Sequence, residues 1–147
     1  MDENEIHELV NTKKMLYARY IFEVQGRPKH HVKESLEKLI SALKKEDGVI
    51  ISDEKYEDII ELEENIFSYL VDVGVIAKDF ETMINITLRY GPSVVYFLEP
   101  EKITIDMRQM QNVLSDIGRV IQEISMENIK LKLKMEGIMR GVKTRKS

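Results

Sequence analysis

Residues 16–25, LYARYIFEVQ, alternate along the chain. Leu16, Ala18, Tyr20, Phe22 and Val24 fall on one side, and Tyr17, Arg19, Glu23 and Gln25 on the other. A period of two in aromatic and β-branched residues predicts a half-buried strand. Gly26 ends it, and Pro28 suits the first turn of a helix, where its missing N–H costs nothing. Val32, Leu36, Leu39, Ile40 and Leu43 then form one helical stripe, closed by Lys44, Lys45 and Gly48. VIIS (49–52) and YEDIIELE (56–63) are strand-like but broken by charges, which predicts one irregular or hairpin-forming strand. After a turn at Glu63-Glu64-Asn65, Phe67, Tyr69, Val71, Val73 and Val75 mark another strand. Asp79 is placed to cap a short helix carrying Phe80, Met83, Ile84 and Leu88. Gly91-Pro92 ends that helix, and SVVYFLE (93–99) is a final strand.

The order strand, helix, strand, strand, helix, strand predicts an α+β chain. With a right-handed crossover in each half it gives a ferredoxin-like βαββαβ sandwich followed by a long C-terminal helix. The helices would cover one sheet face. The other, carrying Tyr17 and Ile21, would be open to water or a partner. The expected division is an acidic lead over 1–14, the α+β domain over 15–105, the long helix over 106–136 and a basic tail over 137–147.

From Met110 the apolar spacing alternates between four and three: Met110, Leu114, Ile117, Ile121, Ile124, Asn128, Leu131, Met135, Ile138, Val142. That is the heptad seam of a coiled coil, with Leu114, Ile121, Asn128 and Met135 at a and Ile117, Ile124 and Leu131 at d. The seam residues Leu114 to Met135 are therefore the expected oligomer interface. Asn128 breaks the apolar run. At an a position it can pair with its own counterpart across a two-fold axis, and it is left unpaired in any other register, so it favours a dimer in one register. Glu127 at g and Lys132 at e would attract across a parallel pair. A helix lying on its own domain shows similar spacing, and Ile129 and Leu133 lie off the seam.

Charge adds a second feature. The whole chain carries −4, yet from Lys130 onward seven basic residues (Lys130, Lys132, Lys134, Arg140, Lys143, Arg145, Lys146) face one acid, Glu136. A basic end on an acidic chain is a candidate nucleic-acid contact. It lacks interleaved aromatics for base stacking, and a solvated terminus is the competing reading. With no Cys there are no disulfides, thiolate ligands or cysteine nucleophiles. The start, MDENEIHELVNTKK, has neither the positive nor the apolar region of a signal peptide, and no apolar run reaches membrane-spanning length. A cytoplasmic location and no membrane partner are expected.

Other groupings carry less. Adjacent helical residues point about 100° apart, so His30 and His31 chelate one metal poorly. His7 lies in a lead expected to be mobile. The acidic residues between Asp53 and Glu64 lack the spacing and turn glycine of a calcium loop and suit a charge-guarded strand edge. Gly26-Arg27-Pro28 opens a helix where an anion could sit, without the glycines of a phosphate loop. No nucleophile motif surrounds Ser35, Ser41, Ser68 or Ser93. No cofactor, no metal and no enzymatic activity are expected.

ETMINITLRYGPSVVYFLEPEKI (81–103), with Gly91, Pro92, Val94 to Phe97 and Leu98-Glu99-Pro100, resembles the end of the C-terminal extension domain of WYL-type regulators. The whole chain is similar to small archaeal α/β proteins. Neither resemblance implies an activity or a site residue. The expected role is a homo-oligomeric interaction or adaptor module. The alternatives are nucleic-acid association through the basic tail and small-ligand sensing on the open sheet face or at the dimer interface.

Overall fold

A computed structural model describes residues 1–146, with side chains described through Val142. It divides into two units, Met1–Asp106 and Met107–Ser147.

The first unit contains α1 (Glu3–Lys13), β1 (Leu16–Gly26), α2 (Lys29–Lys44), β2 (Val49–Tyr56), β3 (Ile60–Glu63), β4 (Ile66–Ala77), α3 (Phe80–Tyr90) and β5 (Val94–Glu99). The sheet order is β2-β4-β1-β5, with β3 also paired to β4. Every pairing is antiparallel. The chain is thus α+β, with an antiparallel five-stranded sheet and a long C-terminal helix. β2 and β1 flank β4, while β4 and β5 flank β1, so each helical crossover skips one strand. The charged stretch between 49 and 63 resolves into two strands, β2 and β3, laid end to end against β4. Asn65 turns the β3–β4 hairpin at φ 64, a left-handed conformation that Asn tolerates better than most residues.

Alternation sorts the sheet faces. Leu16, Ala18, Tyr20 and Phe22 of β1 join Val71, Val73, Val75 and Ala77 of β4 beneath Val32, Leu36, Ile40 and Leu43 of α2 and Met83 and Ile86 of α3. Tyr20 carries its polar end into this core and satisfies it there. Its hydroxyl donates to the Met83 carbonyl at 3.2 Å and lies 2.8 Å from Thr87 Oγ1, tying β1 to α3. Asp79 caps α3 by accepting from the Thr82 N–H (2.8 Å) and hydroxyl (2.6 Å). Gly91 closes it in the left-handed conformation, donating to the Thr87 carbonyl.

The opposite face departs from expectation. It is covered at one end by α1, formed from the lead expected to be mobile. Asp2 and Glu5 make a reciprocal capping box at the start of α1. Ile6 and Val10 pack on Ile76, with Leu9, Met15, Tyr17 and Ile50 around them. His7 sits 3.0 Å from Glu99.

The second unit is one helix, α4 (Met107–Lys146), 40 residues long and therefore about 60 Å from end to end. It passes through the expected tail boundary at 137. Gly137 and Gly141 each cost roughly 1 kcal/mol in a helix interior relative to Ala, and the Leu-, Lys- and Met-rich neighbourhood outweighs them. Ile129 to Met135 reads apolar, Lys, apolar, Lys, a period of two. It is helical nonetheless, since Leu, Lys and Met are strong helix formers.

Candidate functional site

All the seam residues lie on α4. Ile117 is half-buried, while Leu114, Ile121, Ile124, Asn128, Leu131 and Met135 are exposed. From Ile121 to Val142 every large apolar side chain, on the seam or off it, keeps 44–66% of its surface. This stretch of the helix thus carries a continuous length of half-exposed apolar side chains. Lys130, Lys132, Lys134 and Arg140 are exposed along the same stretch. The side chains of Lys143, Arg145 and Lys146 lie outside the described ones.

On the sheet face beyond α1 lies a polar cluster that patterning alone does not reveal. Arg19 donates from Nε to Asp72 at 2.8 Å and from its two terminal nitrogens to Asp53 at 3.0 and 2.9 Å. Ser52 adds a 2.8 Å bond to the same Asp53 carboxylate. These bonds, Arg19's first, hold Asp53 below the usual carboxylate range, and Asp53 in turn raises Arg19. Gly74 makes the arrangement feasible. A Cβ there would stand 2.0 Å from Ser52 Oγ and 2.5 Å from Asp53 Oδ1. Both carboxylate oxygens of Asp53 accept bonds from these donors, so the cluster fastens β1, β2 and β4 together.

A third region is a cleft at the start of α2, lined by Lys29, His30, Lys33, Glu57, Asp58 and Tyr69. The N-cap, Pro28, makes no side-chain cap bond. Three basic side chains there face two acids, so the local charge is close to balanced. The rings of His30 and His31 meet edge-on with centroids 6.1 Å apart. Among the described residues, no group of three or more His, Asp or Glu side chains could hold a metal ion, and no helix is long and apolar enough to cross a membrane.

β5 forms a further exposed surface, at the edge of the sheet. Val94, Tyr96, Phe97 and Leu98 are all exposed. The available signal was that VVYFL runs apolar without alternation, the mark of a strand with something to bury on both sides.

The profile of the MJ0538 family matches residues 17–139, from the start of β1 into the last third of α4. The match therefore takes in the sheet domain apart from α1, together with most of the long helix. No curated protein matches the chain.

Proposed function

The chain belongs to the MJ0538 family, and we propose that it acts without catalysis, as a homo-oligomeric interaction or adaptor module assembled through α4. The observation that carries this reading is the exposed seam, Leu114 to Met135, on a helix of 40 residues. Burying such a seam recovers about 25 cal/mol for each Å² of apolar surface. A second copy is the favoured partner because Asn128 interrupts the seam, and an amide there is satisfied by its own counterpart. The head reads as the ferredoxin-like βαββαβ arrangement with β3 as an addition, since strand order β2-β4-β1-β5 interleaves two crossovers. The cytoplasm is the place this reading expects for it. The local WYL-type resemblance of residues 81–103 contributes no residue to the proposal.

Light scattering on the intact chain and on Asn128→Leu tests it. The intact chain is expected to be a dimer, and the variant a higher or mixed species. Monomers in both cases overturn the reading.

A second reading rests on Lys130, Lys132 and Lys134, exposed together on one helix. Paired helices would double their charge and attract nucleic-acid phosphates. Binding would then fall steeply with salt and vanish when residues 130–147 are removed.

A further inference from the structure

The sheet has two edges, and they are treated differently. On the β2/β3 side Asp53, Glu54, Lys55, Glu61 and Glu63 stand at or beside the edge, and charges of this kind block strand addition. β5 ends the sheet on the other side, paired only to β1 among the described residues. Five consecutive residues, Val94 to Leu98, carry no charge, and four of the five are large apolar side chains with 39–62% of their surface exposed. Beside them Leu16, Phe80, Pro100 and Ile103 line a hollow with Phe97, rimmed by Glu99 and Glu101. Strands of this composition with an unguarded edge invite another strand.

We infer that β5 is the docking edge for β5 of a second copy, the two strands running antiparallel about a two-fold axis. Three features select that occupant. The guard on β2 and β3 obstructs pairing of β5 with the far edge of another copy, which would grow an open chain. The unguarded edge paired with itself closes after two molecules. Antiparallel pairing also places the two Glu99 side chains at opposite ends, roughly 17 Å apart for a six-residue strand, whereas a parallel pair would stack them. Pairing along one edge covers only the flanks of these half-exposed aromatic and aliphatic side chains, well short of a standard-sized interface. That falls within the small, transient class of interfaces, so pairing depends on concentration and strengthens if another contact already joins the two chains. The inference stands on the strand edge alone and does not require α4 to pair.

Amide hydrogen exchange of the full-length chain, read at about 5 µM and about 500 µM, tests it. Exchange in β5 is expected to slow about ten-fold or more at the higher concentration while β2 is unchanged. Tyr96→Lys, at an exposed position, should abolish that dependence without altering the protection of α2. The dependence should survive in Ile124→Asn, which disrupts the α4 seam, so failure of one contact is distinguishable from failure of the other. β5 exchange that ignores concentration, or that keeps its dependence in Tyr96→Lys, overturns the inference. The first of these results would leave an extended segment of a different protein as the occupant.

Discussion

β4 and α4 both carry regularly spaced apolar residues and end in opposite states. In β4, Val73 to Ala77 are five consecutive buried residues, closed in by helices on one face and by α1 at one end of the other. In α4, isoleucines, leucines and methionines at equally regular spacing stay about half exposed from Ile121 onward. Hydrophobic periodicity says which side of an element wants cover. Only the fold says whether the same chain supplies it. Where it does, as around β4, the pattern measures stability.

The contrast can be broken at its strong end first. Leu36→Ala, on the buried side of α2, removes a fully buried side chain and should cost about 2–5 kcal/mol in denaturant unfolding. The molar mass of the protein still folded should not change. Gly74→Ala forces a methyl group onto Ser52 and Asp53, and overpacking of this kind costs about 1–3 kcal/mol. Chemical denaturation should register the loss, and Gly74→Ala combined with Ser52→Gly should recover part of it. At the exposed end, Ile124→Asn should lower the molar mass at micromolar concentration. At high dilution it should move unfolding by less than about 0.5 kcal/mol, as expected of a surface change. A cost of several kcal/mol at high dilution would place Ile124 in an intramolecular core and end the contrast.

The smallest effect expected is in acid. Arg19 holds Asp53 below its ordinary value, and Tyr90 with Arg89 does the same for Glu46. Carboxylates depressed in the folded state contribute stability that is complete above the unfolded value, about 4, and is lost as pH falls through the lowered one. Both carboxylates are partly solvated, so the slope should be shallow. Unfolding midpoints measured between about pH 6 and pH 3 should flatten in Arg19→Met.

Most elements of the head were legible because each combined a clear period with terminal chemistry. Leu16 to Val24 place apolar residues at every second position, and Asp79 and Gly91 bracket α3. α1 was missed although Asp2 and Glu5 spell a capping box, because only two of its residues, Ile6 and Val10, are buried and charge dominates the stretch. β2 and β3 blurred because edge strands carry charges that interrupt alternation. The seam of α4 was plain in sequence. Whether it was covered was not, since exposure depends on what the rest of the chain places nearby. The Arg19–Asp53–Asp72 cluster was invisible for a related reason. Its members are far apart in sequence, and only the pairing of β1 and β2 with β4 brings them together.

The alternation of lysine with apolar residues between Ile129 and Met135 bears on misfolding. Were this segment of α4 to unwind and extend, its apolar side chains would line one face and its three lysines the other. Stacked in register as in a fibril, such strands would set each ammonium directly above the same ammonium of the next chain, a repulsion repeated at every layer. The segment's own charges thus act as gatekeepers, so that losing the helix does not open a ready route to cross-β growth.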